Sequence, residues 1–346
     1  MKAMLCTAYG PPDSLVLTEV PRAPLGPHDV RIGVHAAGVN FPDLLIIQGL
    51  YQFKPELPFA PGGEVAGDVL ETGSEVTEFA PGDRVIGMTR WNGYAEEAVA
   101  AAHRCVAIPA SVDMRVAAGL SLTYGTSYHA LVQRAVLRQD ETLLVHGAAG
   151  GIGTATIDIG QCLGARIVAT GGNNTKLQAV AAHYAVEHLI NYDTDPDWKD
   201  QVKAVTDGRG ADVICDPVGG DVFEKSLRCI NWEGRLLVVG FTSGTIPSAR
   251  ANLILLKGCS VVGVFWGAYA NKDPAGNRAN FQQLFRWLEE GRLRPLIART
   301  LPLAEAAAAL TMLERREVVG KVILTTDLDQ GRTGVASEID ARRLHS

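Results

Sequence analysis

No two cysteines in the chain are spaced C-x-x-C. The six that occur, Cys6, Cys105, Cys162, Cys215, Cys229 and Cys259, are scattered. This argues against a disulfide framework and against a four-cysteine zinc lobe. Long apolar runs are missing too. None reaches the roughly 18 residues needed to span a bilayer, so no membrane segment is expected. The opening Met1-Lys2-Ala3-Met4-Leu5 lacks the apolar stretch of a secretory signal. There is no basic excess, since 32 Lys and Arg face 38 Asp and Glu for a net charge of −6. Such a balance offers no basic surface for nucleic acid. Internal repeats and low-complexity segments are absent. The reading is a cytoplasmic globular protein.

What is present is length, apolar content and glycine. The chain has 346 residues, and at about 150 residues per domain this implies two domains. Hydrophobic residues make up 47% of it, ample for a sizeable core. Glycine accounts for 37 positions, above the usual share of about 7%. The excess falls in turns and loops, where backbone must come close to something.

Residues 1 to about 120 are expected to be rich in short strands. Stretches such as Val30 to Val34 and Asp83 to Gly87 are punctuated by Pro11-Pro12, Pro24 to Pro27, Pro61-Gly62-Gly63 and Pro81-Gly82, as in a barrel or sandwich. The rhythm then changes. Apolar strands at Thr142 to Val145, Ala165 to Thr170, Glu187 to Ile190, Ala211 to Cys215, Arg235 to Gly240 and Ser260 to Phe265 alternate with helical stretches at Thr154 to Leu163, Lys176 to Tyr184 and Gly220 to Cys229. That alternation predicts an α/β domain, a doubly wound parallel sheet covered on both faces. A helix is expected at Phe281 to Glu290. A final helix, Leu303 to Arg315, and a strand, Lys321 to Thr325, return to the first domain. The tail from Asp327 to Ser346 is polar and unpatterned and reads as a loose arm.

Leu143-Leu144-Val145-His146-Gly147-Ala148-Ala149-Gly150-Gly151-Ile152-Gly153 is a strand, a glycine-rich turn and a helix start. This is the context a dinucleotide fingerprint requires. Its form is A-x-G-x-x-G, with Ala148 where the first glycine usually stands. Gly150 lets backbone approach a pyrophosphate, and Gly153 lets the helix pack on the strand. Gly151 and Ile152 bring their N–H groups to the helix N-terminus, which favours negative charge. NAD-binding domains carry an acid about 20 residues further on to hold the ribose 2′-OH. Here that stretch reads Ala169 to Lys176 and holds no carboxylate. Lys176 stands where it can pair with a 2′-phosphate, or it is simply a solvated first-turn lysine. The expected cofactor is NADPH.

At Gly62-Gly63-Glu64-Val65-Ala66-Gly67, followed by Gly73 and Val76, the sequence resembles the medium-chain dehydrogenase/reductase superfamily. Its zinc enzymes read G-H-E-x-x-G-x5-G-x-x-V there, so Gly63 replaces the metal-binding histidine. Asn40 stands where those enzymes place a cysteine, and no metal site is expected. The eight histidines show no ligand spacing. Gly38 to Phe41, Gln48 to Tyr51, Leu57 to Gly62, Ala148 to Gly153, Ile190-Asn191-Tyr192 and Gly263 to Gly267 resemble the zinc-free quinone oxidoreductase branch, which includes zeta-crystallin. The likeness runs to about Leu324.

The resemblance implies a GroES-like catalytic domain, residues 1–121 with 292–346, and a Rossmann NADPH-binding domain, residues 122–291. It also implies a cleft between them and a homodimer made by Rossmann edge strands. It places Asn40 and Thr126 beside the nicotinamide, and Gly172, Lys176 and Tyr192 around the 2′-phosphate. Phe241, Ser243 and Phe265 line the rest of the groove, and Asp43 and Tyr51 the substrate pocket. Pro217, after Asp216, departs from relatives that carry a serine near the ribose.

Without a Lewis acid the hydride acceptor must already be electron-poor, either a quinone or an α,β-unsaturated carbonyl. A hydrogen-bond donor then suffices to stabilise the developing oxyanion. Tyr51 is the first candidate for donor or acid, with pocket wall as its other reading, and Asn40 is a neutral orienting donor. Tyr124 and Tyr128, at helical spacing, read as core. Quinone reductase leads. Enoyl or alkenal double-bond reductase follows, and then a protein that binds NADPH without turnover.

Overall fold

Pro and Gly cut the first third of the chain into short strands. In chain order these are β1 (Lys2–Leu5), β2 (Val16–Glu19), β3 (Asp29–Val39), β4 (Glu64–Thr72), β5 (Arg84–Met88), β6 (Glu97–Ala101) and β7 (Cys105–Ala107). Strand β3 is far longer than the Val30 to Val34 stretch read from sequence. Arg31 and His35 interrupt its apolar pattern, yet both are buried. Arg31 pairs with Glu71 at 3.1 Å and His35 meets Asp68 at 3.1 Å. The computed structural model describes residues 1–331.

The next six strands are β8 (Thr142–Val145), β9 (Arg166–Gly171), β10 (His188–Asn191), β11 (Ala211–Asp216), β12 (Ile230–Val238) and β13 (Ser260–Gly263). They form one parallel sheet in the order β10-β9-β8-β11-β12-β13. The order reverses at β8, and ligands of open α/β sheets bind beyond the strand ends at such a reversal. Every residue of β8 is buried. Residues 153–160 of the following helix, Gly151–Cys162, are buried as well, as helix cover on a parallel sheet demands. Leu144, Val168, Ile214, Leu236 and Trp198 share its core.

The chain ends in β14 (Ile297–Pro302) and β15 (Lys321–Thr325). Both join the first strands in a sheet ordered β14-β15-β3-β4-β5-β7. Strands β15 and β6 divide one edge of β3 between them, pairing with residues 36–39 and 29–33 respectively. The return of the last segment to the first sheet is as the sequence implied.

Two compact units result. One comprises Met1–Leu122, Ala270–Glu289 and Ile297 onward, and the other Thr123–Tyr269 with Glu290–Leu296. The architecture is mixed α/β, a GroES-like unit and a Rossmann-like unit. Tyr124 and Tyr128 are buried, as expected of core residues. Helices at Trp198–Ala204, Ala251–Lys257 and Trp266–Lys272 are additions to the sequence reading. Of the polar tail, Asp327–Gly331 forms a 3-10 turn, and residues 332–346 lie outside the described residues. Among the described residues no helix is long and apolar enough to cross a membrane.

Candidate active site

In the Rossmann-like unit, the turn after β8 is set by the backbone. Gly147 takes the left-handed conformation, φ 57°, which a side chain would strain. Ala148 does not need that conformation, so alanine is tolerated where a glycine usually stands. Its N–H donates to Thr170 O at 2.9 Å, holding the turn to β9. Gly150 is the N-cap of helix Gly151–Cys162 and offers no side chain to cap it. The first-turn N–H groups of Gly151, Ile152 and Gly153 therefore have no capping side chain, which suits a pyrophosphate.

The two glycines differ in their surroundings. A Cβ on Gly150 would meet only Gly147 O, at 3.4 Å, so its outward face is open. A Cβ on Gly153 would lie 2.3 Å from Gly147 O and 2.6 Å from Ala148 Cα. One position admits a ligand; the other presses helix against turn. The residues fit a dinucleotide.

His146, just before the turn, is fully buried between Thr170 Oγ1 at 2.7 Å and Ser226 Oγ at 2.8 Å. Burial pushes its pKa down to about 3, so the ring is neutral and structural. Asp216 closes β11, and its Oδ1 accepts from Val218 N at 2.8 Å and Gly219 N at 2.9 Å.

The remaining residues expected around the cofactor, Thr126 apart, follow the carboxyl ends of the strands. Gly172 follows β9. Asn173 caps the next helix, Asn174–Tyr184, its Oδ1 accepting from Lys176 N at 3.0 Å. Tyr192 follows β10 and donates its N–H to Gly171 O at 3.2 Å. Phe241 and Ser243 follow β12, with Ser243 N donating to Val218 O at 3.0 Å. Phe265 follows β13 and is 59% exposed, so its ring is available to a ligand. Thr126 is half-buried on helix Ser121–Tyr128. Its neighbour Ser127 reaches Thr156 Oγ1, on the helix after the glycine turn, at 3.0 Å.

In the GroES-like unit the centre is a buried polar cluster. Helix Phe41–Ile47 starts at Asn40, with Pro42 in its first turn. Lys321 Nζ, brought by β15, lies 2.8 Å from Glu64 Oε1, 2.7 Å from Asn40 Oδ1 and 3.0 Å from Val39 O. Glu64 Oε2 accepts from Ser121 Oγ at 2.5 Å and Leu122 N at 2.7 Å. Burial pushes the Glu64 carboxyl upward, but Lys321, Ser121 and Asn40 together outweigh it and hold the pKa below its ordinary value.

The Asn40 amide is used up inside this cluster. Its Nδ2 donates to Glu64 Oε1 at 2.8 Å and Gly38 O at 3.3 Å, and its Oδ1 accepts from Lys321. No N–H is left over for a substrate, which shifts Asn40 from orienting donor to fixed wall. Asp43 is likewise internal. Its Oδ2 accepts from Asn40 N and Tyr94 OH, each at 2.9 Å, and its Oδ1 from Gly62 N at 3.2 Å. Burial raises its pKa to about 6 against the pull of those donors. Asp43 thus ties the helix start to the Pro61-Gly62-Gly63 turn. Sequence reasoning missed Lys321, because nothing local marks a lysine near the C-terminus as the partner of Glu64.

Tyr51 is half-buried against the same core. The edge of Phe53 lies 5.9 Å away, centroid to centroid. Burial and the nearby Asp43 charge hold its phenol above the ordinary value, so it stays protonated at neutral pH. Gly63 has only the Arg90 backbone near its missing Cβ, the carbonyl oxygen at 3.5 Å. Among the described residues no group of three His, Cys, Asp or Glu side chains is placed to hold a metal.

Comparison with known proteins places these features. Residues 26–124 match the alcohol dehydrogenase GroES-like domain family, and residues 151–290 the zinc-binding dehydrogenase family. The quinone oxidoreductase-like protein 2 homolog of Nematostella vectensis is 39% identical over 328 residues, covering 94% of this chain and 89% of the relative. The chain belongs to the quinone oxidoreductase branch of the medium-chain dehydrogenase/reductase superfamily. Among solved structures, Escherichia coli quinone oxidoreductase complexed with NADPH superposes with a TM-score of 0.86 at 28% identity, covering 94% of this chain and 100% of the other. CurK enoyl reductase superposes with a TM-score of 0.83 at 26% identity, covering 94% and 99%. Membership of this branch explains why one unit carries a glycine turn at the strand ends while the other buries a neutralised Glu64 where zinc enzymes of the superfamily keep a ligand histidine beside the same glutamate.

Proposed function

We propose that this protein reduces quinones by hydride transfer from NADPH without a metal. The observation that carries the reading is the replacement at Gly63 together with the closed Glu64–Lys321 pair. Among the described residues no group of three potential ligands is placed to hold a cation, and Glu64 is already neutralised by Lys321. An acceptor here needs its own electron deficiency, and a quinone has it.

NADPH, when bound, supplies the hydride. The turn Ala148, Gly150, Gly151, Ile152 and Gly153 would hold its pyrophosphate, and Gly172, Lys176 and Tyr192 the adenosine end. Thr126, Phe241, Ser243 and Phe265 would shape the rest of the groove. Tyr51 donates its phenolic hydrogen to the acceptor oxygen as negative charge develops there. Asp43, Asn40, Glu64 and Lys321 keep the wall beneath it in one arrangement, which is the preorganisation that hydride transfer needs.

We also infer a homodimer formed along β13, the exposed edge of the Rossmann-like sheet. Helix Ala251–Lys257 buries none of its residues, and Leu255, Leu256, Ile246 and Trp232 are at least 67% exposed. A monomer would leave this apolar surface in water. All six cysteines are free, which fits the reducing cytoplasm.

The second reading, an enoyl or alkenal double-bond reductase, is favoured by the likeness to CurK enoyl reductase. Steady-state oxidation of NADPH with benzoquinone and naphthoquinone, set against 2-alkenals and enones, separates the two. We expect turnover with the quinones. A preference for enones would replace this reading with the second, and binding without turnover would make the protein a non-catalytic NADPH binder.

A further inference from the structure

We propose that Asp193 sets the balance between NADPH and NADH in this protein, so that both are accepted. The inference rests on the cofactor reading above. In sequence the stretch after β9 carries no carboxylate. The fold supplies one from the neighbouring strand.

Strand β10 runs parallel to β9 with Asn191 opposite Gly171. Beyond it the chain turns, Asp193 N and Thr194 N both donating to Asn191 Oδ1, at 3.0 and 3.3 Å. Asn191 Nδ2 in turn donates to Asn174 Oδ1 at 2.8 Å, tying the turn to the start of the preceding helix, Asn174–Tyr184. The Asp193 side chain is thereby folded over the end of β9. A Cβ on Gly172 would lie 2.2 Å from Asp193 Oδ2 and 3.2 Å from Oδ1. The carboxylate thus lies in the place a side chain at 172 would take.

The end of the second strand is where dinucleotide-binding domains keep the acid that accepts a ribose 2′-OH. Asp193 puts a carboxylate at that position from a different strand. It accepts a hydrogen bond from a 2′-hydroxyl and repels a 2′-phosphate. Lys176, in the first turn of helix Asn174–Tyr184 on the same corner, acts in the opposite sense. Preference between the cofactors is the difference between these two side chains.

The test is equilibrium binding of NADPH, NADH and adenosine 2′,5′-bisphosphate, followed by titration calorimetry, to the full chain and to Asp193→Asn. We expect the variant to bind NADPH more tightly relative to NADH by on the order of tenfold, with adenosine 2′,5′-bisphosphate tightening alongside NADPH. Asp193→Ser, which removes the charge with a shorter side chain, should shift the ratio in the same direction. An unchanged ratio in both variants would overturn this inference and leave the cofactor reading standing. Failure of the wild-type chain to bind either dinucleotide would overturn both.

Discussion

Lys321 Nζ lies 2.8 Å from Glu64 Oε1 with both side chains closed to solvent, although 257 residues separate them in sequence. A buried pair of this kind contributes little over a well-packed apolar pair, but breaking it strands a charge. Lys321→Met should therefore destabilise the protein by about 3–5 kcal/mol. The double variant Lys321→Met with Glu64→Gln should recover part of that. Urea unfolding of the two variants measures the difference. Equal loss in both would mean that Lys321 acts by packing alone.

The pH dependence of stability carries a second signature. The Asp43 pKa is raised to about 6 in the folded state, against about 3.9 in an unfolded chain. Between those values the folded protein takes up a proton that the unfolded chain does not. Its contribution is therefore least favourable above pH 6 and improves as pH falls from 6 toward 4. Asp158, also raised to about 6, has the same sign. Asp43→Asn should reduce the slope of thermal stability against pH in this window and leave the share owed to Asp158. A melting series from pH 4 to pH 8 checks it, and an unaltered slope would refute the assignment.

Tyr51→Phe tests the donor. Loss of a positioned proton donor costs roughly 10²-fold or more in rate. The variant should lower kcat with quinones by about that factor, while NADPH binding holds. A kcat equal to wild type would leave Tyr51 as part of the pocket wall.

Lys176→Ala should raise the KM for NADPH about tenfold, as expected for loss of one charge-assisted phosphate contact, with the value for NADH little changed. Paired steady-state measurements decide it. Equal weakening of both cofactors would remove Lys176 from the phosphate site.

Much of the Rossmann-like half was legible in the sequence because its signals are local. The strand Thr142–Val145, the glycine turn and the helix Gly220–Cys229 are each announced within a dozen residues. Helix Ala251–Lys257 was missed because its four large apolar residues are consecutive, Leu253 and Ile254 packing against the core and Leu255 and Leu256 facing solvent, so the sequence shows no amphipathic pattern. Strand β3 was read short because His35 looks like a break after Val34 until its acidic partner Asp68 on β4 is in place. The candidate site divides in the same way. Gly150 and Gly153 follow from a motif, whereas the carboxylate over Gly172 and the lysine beside Glu64 depend on which distant segments the topology brings together. The Asn40 amide, read as a donor, is committed by those same contacts.

The place of β15 between β14 and β3 has a consequence for biosynthesis. During translation, the first sheet emerges with one edge of residues 36–39 of β3 uncovered, because the strand that pairs with it is made some 280 residues later. The Rossmann-like strands β8 to β13 are synthesised in the interval and need nothing from the C-terminus for their pairing. The nascent chain thus completes its cofactor half first. Its other half keeps an open, aggregation-prone edge until β15, residues 321–325, has left the ribosome.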